Sequence, residues 1–431
     1  MRDTHPHPVG AMDQDSPKQA MTAAEKAARR AKNAANRARR AAKALAQPQA
    51  ASQNSTNLGQ ILPIEAGKPA KTAKMGKKPA GATTGSAKIS RDSKNSDNRN
   101  KSRQIPFNIL IVAQSGRLEH EAVLFAETLR ANAPDWTGRL IVAEPQEDGA
   151  WSGHKTQISA ESRTALQARG AEIRPFTAQH FGAAYPYGNK IEALSLLPPG
   201  ENFIFFDTDT LITGPLDKVD FDFTRPSASM RREGTWPEPP LYGPGYGEIW
   251  RSLYDRFGLD YASSLDLGQP DEHWERHLYF NAGWFFGADP AVFGQRFLDW
   301  ALAVRDDPGE ALASQSLDPW LDQIVLPLVI HSLGGGRPGP AVAGLDGDVT
   351  CHWRNLPLLY ARESDAAVDA MERAANAPDI KPLLEGWEPA ARLIYQQNGS
   401  KALRPAIDRD HLPLRERALR QDIKRAGWWV V

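Results

Sequence analysis

Two aspartates, Asp207 and Asp209, follow the apolar run Phe-Ile-Phe-Phe at residues 203–206. Such a run is typical of a strand covered on both faces, as in the parallel sheet of an α/β domain. Because side chains alternate along a strand, both carboxylates should project to one side, beyond the strand end where open α/β sheets bind ligands. Carboxylate oxygens in that position suit Mg²⁺ or Mn²⁺ carrying a diphosphate. A simple turn is the alternative, since Asp also starts turns.

The segments around these aspartates predict the fold that positions them. Apolar runs predict strands, and apolar residues at three- and four-residue steps predict helices. The predicted strands are 108–113, 140–143, 171–176, 203–206 and 280–287, and the predicted helices lie near 122–129, 160–169, 190–197, 290–305, 319–333 and 363–376. Alternating strands and helices of this length imply an α/β domain with a mainly parallel central sheet and right-handed crossovers.

The segment Asp207-Thr-Asp209-Thr-Leu also matches the first motif of haloacid-dehalogenase-type phosphatases, which read Asp-X-Asp-X-Thr after an apolar strand. In that family the first Asp attacks phosphorus and the second is the general acid. The motif opens the phosphatase domain, whereas a predicted α/β unit precedes it here. The acidic pair Asp306-Asp307 ends a predicted helix and does not follow a strand, as the family requires. We therefore treat the phosphatase as the weaker hypothesis.

Four segments match a different pattern in order and spacing. They are Lys190-Ile-Glu-Ala-Leu-Ser-Leu-Leu-Pro198, Phe205-Phe-Asp207-Thr-Asp209-Thr-Leu-Ile with Gly214-Pro-Leu216, Tyr279-Phe-Asn281-Ala-Gly283-Trp-Phe-Phe, and Leu321-Asp322-Gln323. This pattern resembles nucleotide-sugar glycosyltransferases of the GT-A fold, specifically the retaining group of glycogenin and bacterial lipopolysaccharide galactosyltransferases. The resemblance covers residues 107–335 and implies a single GT-A-like, Rossmann-type domain.

The resemblance assigns the donor side of the site. Asp207 and Asp209 match the metal-binding pair, and departure of a nucleotide diphosphate calls for a divalent cation as Lewis acid. Gln114 and Ser115 fall at the carboxyl end of the first strand, where the nucleotide would lie. Lys190 is suited to contact the diphosphate as a point charge, although an exposed helix lysine is the alternative.

The resemblance also assigns the sugar side. Asn281 and Gly283 match residues that line the sugar pocket, although Gly283 can also mark a strand bulge. Asp322 and Gln323 match the pair nearest the reacting carbon, and Asp322 could equally be a first-turn helix residue favoured by the dipole. Gln323 is a neutral amide and a weak nucleophile. Both a front-face displacement and a covalent route to retention therefore stay open.

Two histidines, His331 and His352, are candidates for a third metal ligand. The family supplies a His in a His-X-X-Gly-X-X-Lys-Pro pattern near the carboxyl end. The spacing recurs in His331-Ser-Leu-Gly334-Gly-Gly-Arg337-Pro338, but directly on the helix after Gln323, which is earlier than expected. His331 is the first candidate, although a helix-end His also suits the dipole there. His352, in Cys351-His-Trp-Arg354, is the second.

An insertion at residues 225–279 is rich in aromatic residues and weak in periodicity. Aromatic faces stack on the apolar side of sugar rings, and long loops in a compact domain are usually functional. Trp236, Trp250 and Trp274 are therefore candidates for binding the acceptor. A small satellite core beneath the insertion is the equal alternative.

Charge is distributed unevenly along the chain. Residues 1–103 hold 21 Lys and Arg against 7 Asp and Glu, whereas the remainder holds 31 against 45. We interpret 1–103 as a basic, largely disordered tail, with an Ala/Arg-rich helix at 22–47 and a linker at 48–103. An anionic membrane surface is its expected partner. Nucleic acid is disfavoured, because the tail has no aromatic residue to stack on bases.

Other features predict a cytoplasmic location. The single cysteine, Cys351, excludes an intramolecular disulfide and fits a reducing compartment. The sequence has no run of about 18 apolar residues that would predict a transmembrane helix. Its amino terminus also lacks the apolar segment of a secretory signal. Attachment to the inner face of the membrane through the tail is compatible with this prediction.

The sequence thus predicts that residues 104–430 form a metal-dependent glycosyltransferase, acting with retention. The expected donor is a nucleotide diphosphate sugar, such as a UDP-sugar, and the expected acceptor is a glycan or a lipid-linked sugar. The competing hypothesis is a module that binds nucleotide sugars or glycans without catalysis.

Overall fold

The computed structural model of the protein describes residues 106–232 and 234–430. The described residues belong to one unit of the chain, Ser93–Val431. The predictions for the tail at 1–103, including the helix at 22–47 and the linker at 48–103, lie outside the described residues.

A six-stranded sheet forms the centre of this unit. The strands of the described region are β1 Asn108–Val112, β2 Leu140–Pro145, β3 Ala171–Phe176, β4 Phe203–Phe206, β5 Thr210–Ile212, β6 Ser227–Ser229, β7 Asn281–Gly287 and β8 Thr350–His352. The order in the sheet is β3-β2-β1-β4-β7-β6, with β5 and β8 paired separately. Strands β1 to β4 run parallel. Strand β7 pairs antiparallel with β4, and β6 pairs antiparallel with β7. The prediction of an α/β fold with a mainly parallel sheet is confirmed.

Helices cover both faces of this sheet. The α-helices of seven or more described residues are α1 Arg117–Asn132, α2 Ala160–Ala168, α3 Tyr246–Arg256, α4 Pro290–Asp306, α5 Leu321–Ser332, α6 Leu356–Arg362, α7 Asp365–Ala375 and α8 Glu416–Arg425. Single turns of helix occupy Asn189–Glu192, Tyr261–Ser264, Lys381–Leu384, Glu388–Ala390 and Arg404–Ala406. Across the described residues, we find no helix with the length and apolar character needed to cross a membrane.

The apolar runs of the parallel strands are explained by burial on both faces. Ile109 and Ile111 belong to one apolar cluster, which contains Phe125 of α1. Leu110, between them, points to the opposite cluster with Phe297 of α4. Because successive side chains of a strand alternate between faces, a strand covered on both sides must be apolar throughout.

The short β5–β8 pair brings a late part of the chain to the end of β4. Thr210 of β5 lies opposite His352 of β8 in antiparallel register. The backbone N–H of Trp353 continues the pairing by donating to the Asp209 carbonyl over 2.9 Å. Residue 352 is therefore held beside the aspartates, although more than a hundred residues separate them in the sequence.

The aromatic insertion packs into the main core, in the cluster that contains Leu110 and Phe297. Trp236 and Trp250 are only 2% and 1% exposed, and their rings meet edge to face at 5.3 Å. The Trp236 indole N–H donates to the Ser316 carbonyl. Neither ring offers an accessible face to a sugar, so the structure corrects the assignment of these two residues to acceptor binding. Trp274 is only partly buried, and the guanidinium of Arg232 lies 4.6 Å from its ring.

Candidate active site

Asp207 and Asp209 occupy the turn between β4 and β5. The Asp207 N–H donates to the Gly283 carbonyl of β7 over 2.8 Å, which extends the β4–β7 ladder by one residue. The Asp209 carbonyl accepts from Trp353, as described above. Hydrogen bonds to both sheets thus hold the turn at the carboxyl end of β4, where an α/β sheet binds its ligands.

A histidine completes this acidic pair. Nε2 of His352 lies 3.0 Å from Oδ1 of Asp209. Ligand atoms of Asp207, Asp209 and His352 all lie within 4.8 Å of one another. Two carboxylates and an imidazole are a suitable donor set for a divalent metal, so these residues could hold one.

His331, the first candidate from the sequence, is elsewhere. It ends α5, where its Nε2 lies 3.1 Å from the Asp260 carbonyl and 3.2 Å from Ser263 Oγ. Its ring also contacts Tyr254. The structure therefore corrects the choice of histidine: the second candidate, His352, adjoins the aspartates, and His331 packs against the insertion.

The two aspartates differ in their electrostatics. Burial would raise the pKa of Asp209, but the charge and hydrogen bond of His352, with Arg117 nearby, outweigh it and lower the pKa to about 2. Burial raises the pKa of Asp207, and the charge of Lys190 only partly offsets that effect. The carboxylate of Asp209 therefore stays ionised, whereas an added cation would favour the ionised form of Asp207.

Lys190 connects the aspartate pair to Asp322. Its Nζ lies 2.9 Å from Asp207 Oδ1 and 3.2 Å from Asp322 Oδ2, and it donates to the Ala282 carbonyl. The side chain is 7% exposed. Although burial alone would lower the pKa of Lys190, the two carboxylates raise it overall. Lys190 is therefore a buried cation between two anions, which excludes the alternative of an exposed helix lysine.

Tyr185 holds the other oxygen of Asp322. Its hydroxyl donates to Asp322 Oδ1 over 2.8 Å and accepts from the Asp322 N–H over 3.0 Å. Burial raises the pKa of Tyr185, so the hydroxyl stays a donor. Sequence analysis missed this residue, because a tyrosine five positions before Lys190 has no recognisable motif.

Glu121 of α1 supports the aspartate turn through a hydrogen bond with Thr208. Its role was not predicted from the sequence. Its fully buried carboxylate accepts from Thr208 Oγ1 over 3.1 Å and from Arg117 Nη1 over 2.7 Å. Burial, and then the charge of Asp209, raise the pKa of Glu121 well above its usual range. The sequence feature that could have indicated this role is an acidic residue next to the apolar face of α1.

Two cavities adjoin this network. The first, which we call the aspartate cavity, measures about 300 Å³ and is lined by Gln114, Arg117, Asn189, Lys190, Phe205, Asp207 and Asp209, with five further residues. Gln114 therefore lines the same cavity as the aspartates. Ser115 is not part of the lining, and its backbone N–H donates to the Thr156 carbonyl.

The second, which we call the arginine cavity, measures about 340 Å³. Its lining is Arg232, Gly234, Tyr279, Asn281, Trp320, Gln323, Arg354, Glu416, Arg417 and Arg420. Tyr279 donates to Gln323 Oε1 over 2.9 Å, and Asn281 Nδ2 donates to the Arg231 carbonyl. Asn281 and Gln323 thus converge on one cavity, whereas Asp322 lines neither cavity and is buried against Lys190.

Comparison with known proteins identifies the family. Residues 109–334, just over half of the chain, match the Rhodobacterales glycosyltransferase domain. The chain therefore belongs to this family, and the protein is a glycosyltransferase. The hypotheses of a phosphatase and of a non-catalytic module are not retained. Comparison with curated protein sequences gave no match.

Several solved structures are similar to the chain. The galactosyltransferase LgtC, in complex with donor and acceptor sugar analogues, is 16% identical, with 65% of this chain and 99% of LgtC covered, at a TM-score of 0.39. The bifunctional WbbM is 13% identical, with 66% and 52% covered, at 0.39. GlyE of Streptococcus pneumoniae TIGR4 is 11% identical, with 67% and 65% covered, at 0.34.

Proposed function

We propose that this glycosyltransferase takes its sugar from a nucleotide diphosphate sugar, specifically a UDP-sugar, and requires a divalent metal. The observation that carries the proposal is the group of Asp207, Asp209 and His352 beside the aspartate cavity. When bound, the cation would offset the charge that develops on the departing diphosphate. The acceptor would be a glycan or a lipid-linked sugar, and residues 104–430 would be the catalytic domain.

The donor set favours Mn²⁺ over Mg²⁺. Mg²⁺ is a hard cation that is usually held by carboxylates, phosphates and water. The imidazole of His352 suits a transition metal better, while the carboxylates of Asp207 and Asp209 also suit Mn²⁺. Gln114 and Lys190 line the same cavity and would contact the nucleotide and the diphosphate.

The proposed transfer proceeds with retention by attack on the front face of the sugar. The acceptor hydroxyl oxygen bonds to the anomeric carbon while the bond from that carbon to the diphosphate oxygen breaks. The hydroxyl proton passes to the departing diphosphate. The sugar carries positive charge in this process, and the carboxylate of Asp322 stabilises it.

The contacts of Asp322 and Gln323 argue against a covalent intermediate. Both carboxylate oxygens of Asp322 are engaged, by Tyr185 and by Lys190, and its side chain is 2% exposed. Gln323 accepts from Tyr279 through Oε1, which leaves its amide N–H groups to donate to a sugar hydroxyl. Neither side chain therefore presents a free nucleophilic oxygen to the arginine cavity.

Donor hydrolysis without acceptor tests the proposal. The full-length chain should release UDP slowly from a UDP-sugar panel in Mn²⁺, and NMR should detect the retained anomer first. Asp207→Asn or Asp209→Asn should lower this rate by at least about a hundredfold, since metal charge stabilisation is worth several kcal/mol. The matched control is Asp220→Asn, at an exposed position just after this segment. UDP release that is independent of Mn²⁺ in all three variants would contradict the metal assignment.

A further inference from the structure

The arginine cavity is strongly basic within an acidic part of the chain. Four arginines and one acidic residue contribute to its described lining. By contrast, acidic residues outnumber basic ones by 45 to 31 after residue 103. Because Asn281 and Gln323 belong to the same lining, this positive charge lies directly beside the residues assigned to the sugar.

One carboxylate pairs with two of these arginines and with Arg362, which lies outside the lining. Glu416 is buried, and its oxygens contact Arg420 Nε at 2.6 Å, Arg362 Nη1 at 2.7 Å and Arg354 Nε at 3.8 Å. Burial would raise the pKa of Glu416, but the surrounding guanidinium charges lower it. Arg362 also pairs with Glu363 over 2.9 Å. Within the described lining, Glu416 is the one carboxylate beside four arginines, so that lining carries an excess of positive charge.

Arg232, another residue of the lining, has a guanidinium N–H group without a hydrogen-bond acceptor among the described residues. It lies over Trp274, and its Nη1 donates to the Tyr279 carbonyl over 3.3 Å. Its Nε is buried and, among the described residues, has no hydrogen-bond partner. A buried donor of this kind is usually satisfied by a ligand or a bound water. An anionic oxygen inside the cavity would satisfy it.

Arg417 completes the arrangement at the rim. It is exposed at the start of α8, and none of the ion pairs of the described residues includes it. Guanidinium groups bind carboxylate and phosphate through paired hydrogen bonds, which makes them the usual choice for such anions. Arg232, Arg417 and Arg420 all line the cavity, and Arg420 is also paired with Glu416 through Nε and Nη2.

We infer that the acceptor carries an anionic group, a phosphate or a carboxylate, which Arg232, Arg417 and Arg420 bind beside Gln323. The inference rests on the proposed function, since it takes the arginine cavity as the acceptor side and the aspartate cavity as the donor side. The two linings share no residue. One hydrogen bond joins the two linings: Arg117 of the aspartate cavity donates over 3.3 Å to the carbonyl of Arg354, which lines the arginine cavity.

The inference is tested by the binding of three probes that share the same sugar ring and differ in their charged group. Full-length protein saturated with Mn²⁺ and UDP is titrated by calorimetry with glucose 6-phosphate, glucuronate and glucose. At least one anionic probe should bind about tenfold or more tightly than glucose. A preference for glucose 6-phosphate identifies a phosphate, and a preference for glucuronate identifies a carboxylate. Equal affinity for glucose, or no binding of either anion, would overturn the inference.

Variants locate the bound anion. Arg417→Gln and Arg420→Gln should each weaken binding of the preferred anionic probe by about tenfold. Arg417→Gln changes an exposed residue, so it remains informative if Arg420→Gln does not fold. The control is Arg425→Gln on the same helix, where the arginine pairs with Asp422 outside the cavity. Unchanged affinity in both test variants would overturn the inference.

The UDP titration separates the two proposals. If UDP with Mn²⁺ does not bind the wild-type chain, the proposed function fails, whatever the anionic probes do. If UDP binds and the probes bind the arginine variants as tightly as wild type, only the inference about the acceptor fails. If UDP prevents glucose 6-phosphate from binding, the arginine cavity holds the donor diphosphate, and the acceptor assignment is overturned.

Discussion

Gly283 leaves the space in which the His352 ring lies, because a Cβ atom at residue 283 would come within 2.3 Å of His352 Nδ1. The other ring nitrogen, Nε2, faces Asp209 at 3.0 Å. The resemblance to GT-A glycosyltransferases matches this glycine to a residue of the sugar pocket, with a strand bulge as the alternative. The contact gives it a further role, since any side chain at this position would displace the histidine from the aspartates.

We therefore expect Gly283→Ala to weaken Mn²⁺ binding without unfolding the protein. Displacement of one ligand should lower Mn²⁺ affinity by about tenfold or more, comparable to the loss of a supporting residue at other metal sites. The control is Gly287→Ala in the same strand, where a Cβ would meet only the side chains of Phe203 and Phe293, at 3.1 and 3.2 Å. Calorimetric titration with Mn²⁺ measures the effect. Equal affinities in Gly283→Ala and wild type would contradict this role.

Replacement of each histidine distinguishes the two candidates for the third ligand. We expect His352→Ala to lower Mn²⁺ affinity and Mn²⁺-dependent UDP release by at least about tenfold. His331→Ala should leave Mn²⁺ affinity unchanged, because its imidazole contacts Asp260 and Ser263. A greater loss of Mn²⁺ affinity in His331→Ala than in His352→Ala would reverse the assignment.

Tyr185 should position Asp322 for the reaction. Removal of its hydroxyl in Tyr185→Phe deletes a hydrogen bond of 2.8 Å to a buried carboxylate, which should lower stability by about 1–3 kcal/mol. We expect kcat for donor hydrolysis to fall by about tenfold while the Kd for UDP with Mn²⁺ stays constant. If Tyr185 had only a structural role, Tyr185→Phe would lower stability and leave kcat unchanged.

Tyr360→Phe is the matched control for Tyr185→Phe. Its hydroxyl also donates to an acidic residue, Glu372, over 3.0 Å, but α6 and α7 hold this pair away from both cavities. The control should lose similar stability and keep its kcat. An equal fall of kcat in both variants would show that Tyr185 has no specific effect on Asp322.

Much of the fold could be predicted because its elements are long and have clear periodicity. The strand predicted at 108–113 is Asn108–Val112, and the helix predicted at 290–305 is Pro290–Asp306. The Asp207 strand was recognisable because burial on both faces demands an unbroken apolar run. These features are local, so a single sequence carries them.

The missed parts depend on contacts between distant segments. His352 reaches Asp209 only through the β5–β8 pairing, whereas the local spacing favoured His331. The burial of Lys190 depends on Asp207 and Asp322, which come from two other segments. Likewise, composition cannot distinguish aromatic residues buried in the core, such as Trp250, from those of a binding surface.

His277 should make the protein less stable in mild acid. Its ring is buried between Tyr246 and Tyr261, its Nδ1 lies 3.0 Å from the Tyr261 hydroxyl, and burial lowers its pKa to about 4. In the unfolded chain a histidine titrates near 6.5. Between about pH 6.5 and pH 4 the unfolded state therefore binds more protons than the folded state, so stability falls as the pH is lowered.

The expected loss from this one group is about 3 kcal/mol over the whole window. Urea unfolding in EDTA at pH 7, 6 and 5 measures the part of this loss that falls above pH 5, about 2 kcal/mol. Most carboxylates titrate below this range. His277→Gln should reduce the dependence on pH in this window. The control, His411→Gln, removes an exposed histidine paired with Asp408 and should keep the wild-type slope. The burial of His120 also lowers its pKa, so a residual slope is expected in His277→Gln. A slope equal to that of wild type would show that His277 is not held neutral by the fold.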